Sequence, residues 1–200
     1  HNVRTIAVIN GVGSGTSKAF YDLTQDQTSI DRCVKNIMDA VEQYNLDGVD
    51  IDWEYVSSSY PVVASQMNAL MKTLREEMTK RQDEGGTPYF LSCAIPASSW
   101  GTVTSSFDYA TLNNYLDYIN IMAYDLNNET KCTHLSPLYT SSNDGGYGFG
   151  SVYGVDRISS LGFPKSKLII GCAGYGKAYR VTGTGANATS PALGASGTLT

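Results

Sequence analysis

Five short strand-like runs, four apolar and one alternating, separated by loops and by apolar stripes at helical spacing, set the narrowest limit on how this chain can fold. The runs span residues 3–9, 49–54, 89–95, 118–125 and 167–173. Between them Ile30, Cys33, Val34, Ile37, Met38 and Val41 recur at helical spacing behind an expected N-cap at Thr28 or Ser29. Met67, Leu70, Met71, Leu74 and Met78 form a second stripe, with Pro61 expected at the first helical position and Gly85-Gly86 at the end. A short helix is expected over 108–115, and another over 152–161 that stops at Gly162 ahead of Pro164. Strands alternating with helices call for a parallel sheet with helices outside it, an α/β fold. The alternation does not separate a closed barrel from an open, doubly wound sheet. Two hundred residues suffice for one domain with a real core.

One of these strands carries chemistry. Asp47-Gly48-Val49-Asp50-Ile51-Asp52-Trp53-Glu54-Tyr55 alternates acidic and apolar residues from Val49 to Glu54. On a strand, Asp50, Asp52 and Glu54 share one face, with same-face neighbours roughly 6–7 Å apart, while Val49, Ile51 and Trp53 share the other. Carboxylates at that spacing repel one another, and burial penalises every ionised form. The row therefore titrates as a unit with one pKa forced up, as a general acid near neutral pH requires. Glu54 has the longest side chain and sits at the C-terminal end, where parallel α/β folds build their sites. The competing readings are a solvated edge strand or a divalent-cation site. Solvated acidic faces usually carry Lys or Arg, and none falls between Asp47 and Tyr55.

Composition excludes some partners. The formal net charge of −5 argues against nucleic acid and anionic membrane surfaces and suits a neutral substrate. No apolar run reaches the length of a membrane span. The 14 tyrosines suit sugar contact, although a Tyr-rich core is the plainer explanation. Cys33, Cys93, Cys132 and Cys172 contain no Cys-x-x-Cys pair, which argues against zinc. Cys93 and Cys172 lie in apolar runs and are expected in the core, and Cys132, in a polar loop, is the expected reactive or paired thiol. Gly11-x-Gly13-x-x invites a dinucleotide fingerprint, but position 16 is Thr and no helix start is evident there. Asn128 and Asn187 each open an Asn-x-Ser/Thr triplet, which permits a secreted origin. The chain begins at His1 without Met or a signal peptide, as a processed or excised product would.

The acidic run resembles, position by position, the Asp-Gly-x-Asp-x-Asp-x-Glu signature of family-eighteen glycoside hydrolases, the chitinases and their relatives. Asp47, Gly48, Asp50, Asp52 and Glu54 match, and Trp53 and Tyr55 are usual there. Met122-Ala123-Tyr124-Asp125 resembles the family's Met-x-Tyr-Asp run, and Gly174-Tyr175-Gly176-Lys177 resembles its Tyr-Gly-Arg run, with Lys177 in place of Arg. That swap replaces a bidentate fork by a point charge. Of the usual Ser-x-Gly-Gly after an earlier strand, Gly11 alone survives.

The resemblance implies a (β/α)8 TIM barrel of which this chain covers about strands 3 to 7, so an incomplete one. Residues 1–180 would be the barrel segment, and the Gly/Ser/Thr-rich tail 181–200 the possible start of an α+β insert. It implies substrate-assisted retaining hydrolysis of β-1,4-linked N-acetylglucosamine polymers, chitin and its oligosaccharides, by a secreted enzyme needing no cofactor or metal. Glu54 would be the general acid, Asp52 would orient the substrate acetamide, Asp50 would share a proton with Asp52, and Tyr124 would bond the acetamide oxygen. Met122, Asp125, Tyr55 and Tyr175 would contact sugar. The alternatives are a chitin-binding lectin-like module without turnover, or an endo-β-N-acetylglucosaminidase acting on N-glycans.

Overall fold

A computed structural model describes residues 3–11, 13–53, 59–97, 106–139, 150–181 and 193–200. Glu54 and Tyr55, most of the loop after them and nearly all of the 140–150 loop lie outside the described residues. The elements are β1 (Ile6–Asn10), α1 (Ser14–Leu23), α2 (Gln27–Gln43), β2 (Gly48–Asp52), α3 (Ala64–Asp83), β3 (Phe90–Pro96), α4 (Tyr109–Leu112), β4 (Tyr118–Met122), α5 (Ser151–Ser160), β5 (Leu168–Gly171), β6 (Tyr179–Val181) and β7 (Gly197–Leu199). Strands β1 to β5 form one sheet in chain order, and β1 pairs with β2, and β2 with β3, in parallel. The strand–helix alternation read from the sequence is thus the fold of the chain.

The described residues form two compact units. The first comprises residues 1–95, 100–120 and 158–169, and the second 96–99, 121–157 and 170–200. In the first, Val49, Ile51 and Trp53 are fully buried, as are Met38, Met67, Leu70, Met71, Leu74 and Leu91. Burying Val49 and Ile51 contributes about 1.5–3 kcal/mol each. Both expected helical stripes face this core: Ile30, Val34, Met38 and Val41 on α2, and Met67, Leu70, Met71, Leu74 and Met78 on α3. The Trp53 ring stacks on Phe20 with centroids 5.2 Å apart, and its indole N–H donates to Ser17 Oγ at 3.3 Å.

The ends of α2, α3 and α5 follow one pattern. After α2, Asn45 takes a φ of 52°, Asn45 N–H bonds Glu42 O, and Leu46 N–H bonds Val41 O. Gly85 ends α3, and Gly162 ends α5, with the same paired bonds. This is the left-handed closure in which a residue that tolerates positive φ satisfies the last carbonyls. The cap of α2 is Asp26, whose carboxylate accepts from Ser29 N–H at 2.9 Å, rather than the expected Thr28 or Ser29.

Two acids tie strand starts to neighbouring backbone. Asp47 Oδ2 accepts from Thr5 N–H at 2.6 Å, and Asp117 Oδ2 accepts from Leu91 N–H at 2.8 Å and pairs with Arg75 at 2.6 Å. Beside Asp47, a Cβ on Gly48 would stand 2.1 Å from Phe90 O, so only glycine lets β2 approach β3 there. Gly48 and Asp47 of the acidic run are therefore framework residues.

Several expectations are corrected. A helix, α1, does begin at Ser14, and its N-cap, Gly13, has a φ of 90° and no capping side chain, which is why no start signal is legible. Pro61 precedes α3 by three residues instead of opening it. β4 stops at Met122 rather than running to Asp125, because Asp125 turns into the left-handed region at φ 55°. Cys172 is exposed rather than core, lying beyond the end of β5, while Cys93 is fully buried as expected. No disulfide forms among the described cysteines.

The second unit contains Met122, at 9% exposure, whose carbonyl accepts from Ala97 N–H at 3.2 Å. It also contains the antiparallel β6–β7 pair, to which the loop around Lys131 is bridged through Ser196.

Candidate active site

Alternation on β2 places its acids as the sequence predicts. Val49 and Ile51 pack into the core, so Asp50 and Asp52 occupy the other face, at register positions opposite Val8 and Asn10 of β1. Asp50 is buried at 7% exposure, and its Oδ1 accepts both the Ser92 hydroxyl and Asn120 Nδ2, the latter at 3.0 Å. Ser92 lies on the adjacent strand β3, in register with Asp50, and Asn120 reaches it from β4, one strand further along the sheet. Asp50 is thus a fixed acceptor, held by two bonds on one oxygen.

Asp52 differs. Its Oδ1 is buried and has no hydrogen-bond partner among the described residues. Burial raises the Asp52 pKa, and the neighbouring Asp50 raises it further. A fixed acceptor beside a carboxyl inclined to keep its proton is the asymmetry expected of the acid row. Glu54, the third member, lies outside the described residues, as does Tyr55.

The second unit gathers a separate group. Tyr175 OH donates to Asp125 Oδ2 at 2.7 Å, and Lys177 Nζ lies 2.7 Å from Asp125 Oδ1. Both oxygens of Asp125 are therefore engaged, one by each residue. Lys177 chiefly, with Tyr175 assisting, holds the Asp125 carboxyl below its ordinary range, and Asp125 in return pushes the Tyr175 phenol up to about 12. Tyr124 meets Tyr175 edge to face with centroids 6.4 Å apart. Its ring lies against Gly171, where a Cβ would be 2.9 Å from Tyr124 Cε1. β5 thus supplies a bare backbone surface on which the Tyr124 ring rests.

The structure brings Asp50 and Asp52 together in the first unit, and Tyr124, Asp125 and Tyr175 together in the second. Lys177, noted in the sequence only as a departure, proves to be the charge partner of Asp125. Ser92 was missed. The available signal was a hydroxyl placed mid-strand in an otherwise apolar run. Asn120, a polar residue in the run 118–125, is the second donor that the sequence reading does not single out.

One strand of the parallel sheet carries an asymmetric carboxyl pair, Asp50 buried and Asp52 half-buried. The model for Glycosyl hydrolases family 18 matches residues 1–197, and the chain belongs to that family. It is 30% identical over 202 residues to chitotriosidase-1 of Mus musculus, covering 94% of this chain and 43% of that protein. It is 32% identical over 174 residues to probable chitinase 2 of Drosophila melanogaster, covering 84% and 34%. The chain spans less than half the length of either relative. Among solved structures, it superposes with a TM-score of 0.83 on a mutant Group II chitinase catalytic domain of Ostrinia furnacalis in complex with penta-N-acetylchitooctaose, at 24% identity, covering 98% of this chain and 51% of that one. A chitinase-like agglutinin from Robinia pseudoacacia gives a TM-score of 0.84 at 24% identity, covering 98% and 57%. The fold is that of a TIM barrel, to which this chain contributes five strands.

Proposed function

We propose that this chain is the acid-bearing part of a chitinase, which cleaves β-1,4-linked N-acetylglucosamine polymers by substrate-assisted hydrolysis. The observation that carries this is the Asp50–Asp52 pair, in which Asp50 is held by Ser92 and Asn120 while the buried Oδ1 of Asp52 is left unpartnered. An unpartnered, proton-retaining carboxyl is suited to grip an acetamide N–H once a sugar displaces water. Glu54 then protonates the glycosidic oxygen as the acetamide oxygen attacks the anomeric carbon. The bond to the leaving sugar breaks, and water deprotonated by Glu54 opens the resulting ring. Tyr124 holds the acetamide oxygen, and Met122, Asp125, Tyr55 and Tyr175 contact the sugars. The enzyme is read as secreted, and no described helix is long and apolar enough to cross a membrane. Residues 181–200 open an α+β insert after the barrel segment 1–180, a reading supported by the change from parallel pairing to the antiparallel β6–β7 pair.

The test is hydrolysis of a fluorogenic N-acetylchitooligosaccharide by the full polypeptide carrying this chain, with Glu54→Gln as control. Turnover lost in the variant supports the proposal. Equal rates overturn it, and oligosaccharide binding without turnover in either protein moves the assignment to a lectin.

A further inference from the structure

The turn Asn128-Glu129-Thr130 is built in a way that hydrolysis does not call for. Asn128 Oδ1 accepts from Thr130 N–H at 2.7 Å and from Thr130 Oγ1 at 3.0 Å. The Asn128 backbone is committed on both sides: its N–H donates to Thr133 Oγ1 at 2.6 Å, and its carbonyl accepts from the Tyr179 hydroxyl and from Asn127 Nδ2. The rest of the turn is held too, since Gly197 N–H bonds Thr130 O at 2.9 Å and Cys132 N–H bonds Ala195 O at 2.9 Å. What remains is Asn128 Nδ2, which has no hydrogen-bond partner among the described residues, on a half-exposed side chain beside the exposed Glu129 and Thr130.

We infer that Asn128 is an acceptor for N-linked glycosylation, with Thr130 as the residue that prepares it. The triplet supplies the required sequence, and the fold adds the acceptor geometry and an outward position for the product. The Thr130 hydroxyl draws on Oδ1, which polarises the amide toward losing an Nδ2 proton. The donor is a lipid-pyrophosphate-linked oligosaccharide. A bond forms between Nδ2 and the anomeric carbon, the anomeric C–O bond to pyrophosphate breaks, the lipid pyrophosphate leaves, and the Nδ2 proton passes to the transferase. Oδ1 stays free to keep both Thr130 bonds, so attaching the glycan disturbs no contact of the turn. Asn187, which opens the other triplet, lies outside the described residues.

This rests on the secreted reading but not on hydrolysis, and the experiment separates the two. The full polypeptide is produced in a eukaryotic host behind a supplied secretion leader. The collected protein is digested with and without peptide-N-glycosidase, an enzyme that leaves Asp where a glycan had been attached. The expected result is an Asn128-to-Asp conversion in the enzyme-treated sample alone, lost in Thr130→Ala and retained in Thr130→Ser. Secreted, folded protein with unmodified Asn128 overturns the inference, whatever its activity on chitooligosaccharide. Modification that persists in Thr130→Ala overturns the part assigned to Thr130.

Discussion

Asn120 Nδ2 lies 3.0 Å from Asp50 Oδ1, the same oxygen that receives the Ser92 hydroxyl. Asp50 is thereby held by side chains of β3 and β4, two strands on the same side of β2 in the sheet order. Hydrogen bonds to a charged group contribute about 1.5–3 kcal/mol each. Asn120→Ala and Ser92→Ala should each lower kcat on chitooligosaccharide by roughly 10- to 100-fold. KM should change little, because neither residue is placed against sugar. A loss confined to KM would move both residues into the binding surface.

Asp52 trades stability for its task. A carboxyl with a raised folded pKa contributes stability below its ordinary unfolded value, and that contribution is lost as pH rises through the folded value. Asp52→Asn cannot ionise and escapes the loss. The variant should melt higher than the parent near neutral pH, with the difference closing toward pH ~4 and below, while turnover is lost. Thermal melts across pH check the sign, and a variant that melts lower at neutral pH would contradict it.

The Asp125 ion pair has the opposite sign. Its lowered carboxyl pKa gives stability that is present above the unfolded value and is lost as pH falls through the folded one. Asp125 is exposed, so Lys177→Met should cost only about 0.2–1 kcal/mol at neutral pH, with no difference once Asp125 is protonated. Lys177→Arg should preserve the pair and, by forking across both oxygens, displace the Tyr175 hydroxyl. The Tyr175 phenol titration, held at about 12 by Asp125, should then fall toward its ordinary value, read as the difference between the absorbance titrations of each protein with and without Tyr175→Phe.

Gly48→Ala should be the most damaging small change in the first unit. The added carbon would meet the Phe90 carbonyl at 2.1 Å, a backbone atom that cannot rotate away. A loss of about 3 kcal/mol or more in denaturant unfolding is expected, or failure to fold. Gly174→Ala, where a Cβ meets nothing within 4 Å, is the matched control and should be nearly silent.

Local periodicity explains what was legible. The period-2 run through Asp50 and Asp52 and the stripes on α2 and α3 depend on neighbours in sequence, so they survive reading from sequence alone. The features that were missed depend on distant partners or on backbone without side-chain signals. α1 begins behind a glycine that offers no capping atom. The exposure of Cys172 follows from the length of β5, which stops one residue short of it and which no residue type encodes. Ser92 has meaning only through its register with Asp50, and that register is set by pairing across 42 residues.

The Asp47–Thr5 bond has a consequence for how such a protein can change. It works as an index peg: it fixes which residue of β1 stands beside which residue of β2, at the end of the strands opposite the chemistry. A slip of one residue would turn Asp50 and Asp52 inward and Val49 and Ile51 outward. Because the peg lies at the other end of the strands, loops beyond their C-terminal ends can change length without shifting the register that aims the two carboxyls.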